Sequence, residues 1–106
     1  MGTPGEYFEK LGSKLTAEKA AALGAIYQFT IQGDNGGIWV VDLSKSSNWI
    51  SQGASDTSEC TITMSESDFM DLVEGRLAGP QAFMLGKLKI DGNMGLAMKL
   101  GSVLGG

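Results

Sequence analysis

The side chains on which most enzyme chemistry runs are nearly missing from this sequence, which has no histidine and a single cysteine, Cys60, in 106 residues. Without an imidazole, neither a Ser-His-Asp nor a Cys-His nucleophile can be assembled. A histidine acid–base relay and a zinc site of the usual ligands are excluded on the same ground. Carboxylates remain. Asp68, Asp71 and Glu74 recur every three residues, a spacing that sets them side by side on a helix and that paired acid–base chemistry could use. A solvated helix face has the same spacing, and Asp68 stands at the capping-box position after Ser65, so these groups read as capping and surface residues. Asp34-Asn35 invites a calcium reading but lacks the further acidic ligands of a calcium loop, so Gly33 to Gly37 reads as a turn. Gly92-Asn93-Met94-Gly95 lacks the lysine and the additional glycine of a phosphate cradle. Catalysis is set aside, and no cofactor or metal is expected.

The length suits one domain spanning residues 1–106, large enough to bury roughly 60 to 70% of the surface its unfolded chain exposes. No apolar run approaches the eighteen or so residues needed to cross a bilayer, and Met1-Gly2-Thr3-Pro4 has no basic-then-apolar leader pattern. These features predict a soluble intracellular protein. A lone cysteine makes no internal disulfide, and Cys60 reads as a small apolar core residue. The net charge of −4 argues against nucleic acid, which rewards a basic face. The charge is unevenly spread, however: residues 1–75 hold four Lys against eleven Asp or Glu, whereas the rest holds Arg76, Lys87, Lys89 and Lys99 against Asp91 alone. That local excess could meet an anionic headgroup or the phosphates of an acyl carrier; a solvated strand face plus two helix-surface charges is the preferred reading.

Several elements must position these residues. Thr3-Pro4-Gly5-Glu6 is a capping box with proline at the first helical position. Tyr7, Phe8, Leu11 and Leu15 then share one helical face, while Glu6, Lys10 and Lys14 form a charge ladder on another. Thr16 caps a second short helix that ends at Gly24. From Ala25 the period becomes two, with Tyr27, Phe29 and Ile31 facing one way. The turn at Gly33 to Gly37 leads into a second strand, Ile38 to Leu43, followed by a third through Trp49 and Ile50 and a fourth over Cys60 to Met64. Trp39 and Trp49 read as sheet packing. Ser65 caps a helix whose apolar arc is Phe69, Met70, Leu72, Val73 and Leu77 before Gly75 and Gly79-Pro80 break the chain; a short helical piece covers Pro80 to Leu85, and Leu88 and Ile90 mark a fifth strand. Gly92-Asn93 turns the chain into a final helix from Met94 to about Leu104. This order predicts an α+β fold, a five-stranded mixed sheet with helices packed on one face.

The final helix carries more apolar surface than one packing contact needs. At 100 degrees per residue its apolar side chains span about 220 degrees, against the roughly 100 degrees of an ordinary amphipathic stripe. Burial on both sides, contact with a second protomer, and a bound apolar molecule would each account for it. The five methionines beyond Met1, namely Met64, Met70, Met84, Met94 and Met98, crowd into one third of the chain. Such flexible thioethers recur at adaptable apolar surfaces, and also fill gaps in dry cores.

The run Phe83-Met84-Leu85-Gly86-Lys87-Leu88-Lys89-Ile90-Asp91-Gly92-Asn93-Met94-Gly95-Leu96-Ala97-Met98-Lys99-Leu100 closely resembles the C-terminal signature of the sterol carrier protein 2 (non-specific lipid-transfer protein) family. Trp39-Val40-Val41-Asp42, Cys60-Thr61-Ile62-Thr63-Met64 and Ser67-Asp68-Phe69 are similar to the family's pattern in the same order, and the match covers roughly residues 25–104. The resemblance implies an apolar tunnel between sheet and helices that holds a fatty acid, fatty acyl-CoA, sterol or phospholipid, with no chemical step. By that analogy the lining residues are Phe69, Val73, Leu77, Met84, Met94, Met98 and Leu104, with Gln81 as a polar contact near a headgroup. The expected partners are that long apolar ligand and a transient membrane contact, with the protein a monomer. The rival reading is an interaction or substrate-presenting module that docks on a lipid-metabolising enzyme or a second protomer. Many eukaryotic members end in a Ser-Lys-Leu-type peroxisomal address; this chain ends Val103-Leu104-Gly105-Gly106, which points to the cytoplasm.

Overall fold

The computed structural model describes the backbone of residues 2–104 and the side chains of residues 2–99. Helix α1 (Pro4–Lys14) begins as expected: Thr3 Oγ1 accepts the Glu6 N–H at 3.3 Å, and Phe8 and Leu11 are buried. The expected ladder of Glu6, Lys10 and Lys14 forms no ion pair. The described residues contain two ion pairs, both made by Arg76. Solvated side chains on an exposed helix face gain too little from pairing to hold one geometry. Helix α2 (Ala17–Leu23) is capped by Thr16, whose Oγ1 accepts the Lys19 N–H at 3.1 Å, and ends at Gly24.

Five strands follow: β1 (Ile26–Gln32), β2 (Gly37–Asp42), β3 (Ile50–Gln52), β4 (Cys60–Ser65) and β5 (Leu88–Gly92). They lie in the order β3-β2-β1-β4-β5. The β1–β4 pairing is parallel and the others are antiparallel, so the sheet is mixed. After β3 the chain crosses back to the far side of β1, held on the way by Ser55 N donating to Gln28 Oε1 at 2.9 Å and Glu59 N donating to Ile26 O at 2.8 Å.

Pairing register extends the alternation of β1 across the sheet. Phe29 faces Trp39 on one side and Ile62 on the other, and Ile62 in turn faces Ile90. The helices gather on this apolar face. Between β4 and β5 lie α3 (Glu66–Val73) and α4 (Gly79–Met84), and α5 (Met94–Leu104) follows β5. Ser65 caps α3 through the Asp68 N–H at 3.1 Å. Leu77 does not belong to the arc of α3, because the helix stops at Val73. There Gly75 takes a positive φ, and the N–H groups of Arg76 and Leu77 turn back to the Asp71 carbonyl. Leu77 nevertheless returns to the core from the following turn.

Candidate functional site

The apolar face of the sheet divides into two halves that are filled differently. Over β1 and β2, rings occupy the space between sheet and helices. Phe8 stacks on Trp39 at 4.9 Å and on Phe69 at 5.3 Å, and Phe29 meets Phe8 at 5.2 Å and Phe69 at 6.0 Å. Tyr7 closes the cluster edge-on to Phe69 at 5.5 Å. Over β4 and β5 the floor carries no ring: Cys60 pairs with Gly92, Ile62 with Ile90 and Met64 with Leu88. The residues that meet this half from the helices are also small or aliphatic, with Leu77 and Ala82 buried and Leu96 and Ala97 half-buried against the core. Rings make the first half stiff and dry. The second half, floored and roofed by small and flexible groups, is where an added apolar molecule meets least resistance.

Helix α5 is held over that half at two points. Asn93 Oδ1 accepts the Leu96 N–H at 3.2 Å, and the Tyr27 hydroxyl donates to the Leu96 carbonyl at 2.9 Å. The tight entrance to the helix requires glycine at position 92, where φ is +103° and a Cβ would stand 2.4 Å from the Glu59 carbonyl oxygen. Burial pushes the Cys60 thiol above its ordinary range, so it stays protonated and inert beside the floor.

Burial also pushes the Tyr27 phenol up to about 12, with Cys60 and Glu59 adding to the shift, and pushes Tyr7 up to about 12. In the unfolded chain both ionise near pH 10. Below that pH neither state loses a proton and stability is fully present. Between about 10 and 12 the unfolded chain releases protons first, so stability is lost as pH rises. Urea unfolding across this window should show the fall, and Tyr27→Phe should blunt it. At neutral pH the same substitution should cost about 1 kcal/mol for the hydroxyl bond to α5.

The residues expected to line a tunnel lie in three different settings. Phe69 is fully buried within the ring cluster; Val73 is half-buried against the core, and Leu77 is buried. Gln81 is exposed, and so are Met84 at 85%, Met98 at 74% and Met94 at 41%. The side chain of Leu104 lies outside the described residues. Sequence reasoning placed Tyr27 on the apolar face of the first strand and Ala97 in the apolar arc of the final helix but gave neither a place in the site, because the contacts that put them there are long-range. Arg76 does not serve as a free cation, since its guanidinium is taken by Asp71 at 3.1 Å and Glu74 at 2.7 Å. Two of the carboxylates weighed above for acid–base chemistry, Asp71 and Glu74, thereby form a surface ion-pair triad with Arg76, in which Asp68 takes no part. Among the described residues no group of His, Cys, Asp and Glu is placed to hold a metal, and no helix is long and apolar enough to cross a membrane. A concavity of about 330 Å³, lined by Phe8, Glu9, Trp39 and Ile50 among others, opens between α1 and β3, on the ring-packed half, and contains none of the expected lining residues.

A mixed sheet with all helices on one face, half of that face packed with rings and half with small aliphatic groups under a tethered apolar helix, defines a domain built for apolar enclosure. Comparison with known proteins gives the family. Residues 6–105 match the model of the SCP-2 sterol transfer family, and the chain belongs to that family. It is 40% identical over 100 residues to hydroxysteroid dehydrogenase-like protein 2 of Bos taurus, covering 93% of this chain and 24% of that protein. It is 45% identical over 92 residues to peroxisomal multifunctional enzyme A of Dictyostelium discoideum, covering 85% of this chain and 21% of that one. The chain thus spans about a quarter or less of these relatives. Among solved structures, the sterol carrier protein domain 2 of Helicoverpa armigera superposes with a TM-score of 0.78 at 32% identity, covering 93% of this chain and 83% of that one. A palmitated sterol carrier protein 2 like 2 from Aedes aegypti shares the fold, with a TM-score of 0.75 at 20% identity over 97% of this chain and 95% of that one.

Proposed function

We propose that this chain is a lipid carrier that encloses one long apolar ligand, a fatty acid, fatty acyl-CoA, sterol or phospholipid, between α5 and the β4–β5 half of the sheet, and performs no chemical step itself. The observation that carries the reading is the ring-free floor of Cys60, Ile62, Ile90 and Gly92 beneath a helix that still exposes Met94 and Met98. Val73, Leu77, Met84, Met94, Met98 and Leu104 are the proposed lining, with Gln81 at the headgroup end.

Burying a methylene is worth roughly 0.8 kcal/mol, so a chain of about fifteen gains about 12 kcal/mol before the cost of ordering ligand and helix. A membrane offers nearly the same gain, so net preference is small and both uptake and release are open. Delipidated protein should bind a fluorescent fatty acid at micromolar concentration and, freshly purified, carry lipid through native mass spectrometry as a monomer. Failure of both would end the proposal.

Loading requires contact with a lipid surface, and the face proposed for it is that of α4, β5 and α5. The five exposed large apolar side chains among the described residues all fall here, Phe83, Met84, Leu85, Met94 and Met98, in the part of the chain with excess positive charge. A lysine near an anionic surface contributes about 1 kcal/mol, or about fivefold. Partition onto vesicles of mixed neutral and anionic phospholipid should therefore fall about fivefold in Lys87→Gln, while fatty-acid binding in solution is unchanged. Equal partition of parent and variant would remove this face from the reading.

A second reading draws on the relatives, which are about four times as long and bear enzyme names. The domain would then present its ligand to a lipid-metabolising enzyme, within one polypeptide or as a partner. Its proposed working place is intracellular, and fractionation of the tagged protein tests whether that is cytosol or peroxisome.

A further inference from the structure

We propose that Asn35–Gly36 is a spontaneous modification site whose deamidation is held back by Glu66 and, once it happens, releases the start of α3 from the β1–β2 turn. Glu66, the first residue of α3, grips the turn with both carboxylate oxygens: Oε1 accepts the Asn35 backbone N–H at 3.1 Å, and Oε2 accepts the Asn35 side-chain amide at 3.0 Å. Two glycines make this grip possible. A Cβ on Gly33 would stand 2.7 Å from Glu66 Oε1, and one on Gly36 would stand 2.2 Å from the Ile31 carbonyl oxygen. Packing therefore imposes a glycine directly after Asn35. That is the neighbour which least shields its own backbone nitrogen from the asparagine side chain.

The reaction needs no catalyst or co-reactant except water. The Gly36 backbone nitrogen attacks Asn35 Cγ; the N–Cγ bond forms, the Cγ–Nδ2 bond breaks, and Nδ2 leaves as ammonia with the proton that the Gly36 nitrogen gave up. Water then opens the cyclic imide at either carbonyl, giving aspartate or its isomer with the backbone routed through the side chain. In the native turn both reacting groups are engaged. The Gly36 N–H donates to the Gly33 carbonyl at 3.0 Å, and the Asn35 amide is held by Glu66. After reaction the donor amide is replaced by a carboxylate facing the Glu66 carboxylate, and like charges at hydrogen-bond range cannot restore the grip. The change runs one way, and it loosens the helix that brings Phe69 and Val73 over the sheet.

Full-length protein is incubated at neutral and mildly alkaline pH, and conversion of Asn35 is followed by peptide mass mapping with Asn48 and Asn93 as internal references. Conversion is expected to be fast in urea and at least about tenfold slower in the native protein, with native Glu66→Ala regaining most of that tenfold, as loss of a charge-assisted bond predicts. Equal rates in urea and native buffer, no conversion in either, or a Glu66→Ala rate equal to the parent's would overturn the proposal. Because Glu66→Ala also weakens packing, Asn35→Asp supplies an independent reading. It should raise the unfolding equilibrium constant by about tenfold, and adding Glu66→Gln should recover most of the loss. An Asn35→Asp protein as stable as its parent would show that the two carboxylates do not oppose each other.

Discussion

Phe69→Ala should lower the unfolding free energy by about 3 to 5 kcal/mol, a large share of the roughly 5 to 15 kcal/mol that holds a domain of this kind together. The size follows from where the ring sits. Phe69 has no exposed surface and contacts three other rings, those of Phe8, Tyr7 and Phe29, two of them contributed by α1 and one by β1. Removing it opens a cavity where stiff aromatic neighbours cannot collapse inward, so the transfer loss and the cavity loss add. Urea unfolding at neutral pH checks this through a lower midpoint at an unchanged slope. A loss below about 1 kcal/mol would mean that the space is not dry but already able to relax, as a ligand-lining position would be. The experiment thus separates the two roles open to Phe69.

Met98→Asp should behave in the opposite way. At 74% exposed its side chain contributes little to the ligand-free fold, so stability should stay within about 0.5 kcal/mol. If Met98 closes over a bound acyl chain, the same change puts a carboxylate against methylenes, and fatty-acid affinity should fall by about 30-fold to 150-fold, equivalent to the roughly 2 to 3 kcal/mol of a poorly compensated polar burial. Titration of delipidated parent and variant with a fluorescent fatty acid, beside urea unfolding of both, checks the two halves of this result. An unchanged dissociation constant would take Met98 out of the lining. A loss of stability as large as the loss of affinity would instead make it a core residue.

The contrast between these two positions shows how far the sequence could be read. Phe69 and Met84 are both apolar residues at helical positions in the same third of the chain, yet one is fully buried and the other 85% exposed. Periodicity assigns a residue to the apolar face of its own element, whereas burial depends on what covers that face. Local chemistry was legible wherever it is local. The Thr3, Thr16 and Ser65 caps, the turn at Gly33 to Gly37 and the alternation of β1 and β4 all form where side-chain type and spacing put them. The stop of α3 was legible in part: Gly75 marks the break, but Leu77 was assigned to the arc because the capture of two later N–H groups by the Asp71 carbonyl, which sets Leu77 apart from the helix, leaves no trace in residue spacing. The unpaired Glu6, Lys10 and Lys14 likewise show that a suitable spacing permits an ion pair without forming one.

By itself, then, the sequence determined that this domain holds no histidine, and so no imidazole-activated nucleophile or histidine relay, that its strands alternate, and that its last third is rich in flexible apolar groups. Those properties belong to residue types and to neighbours a few positions apart. Tertiary structure alone decided that β4 inserts beside β1 in parallel, that rings collect over β1 and β2 while Cys60, Ile62, Ile90 and Gly92 floor the other half, and that the Tyr27 hydroxyl reaches across 69 residues of chain to hold α5 above that floor. The reason is physical. Alternation tells which side of a strand is apolar, but the choice of neighbouring strand, and therefore of what shares that side, rests on long-range packing that no short window of sequence contains.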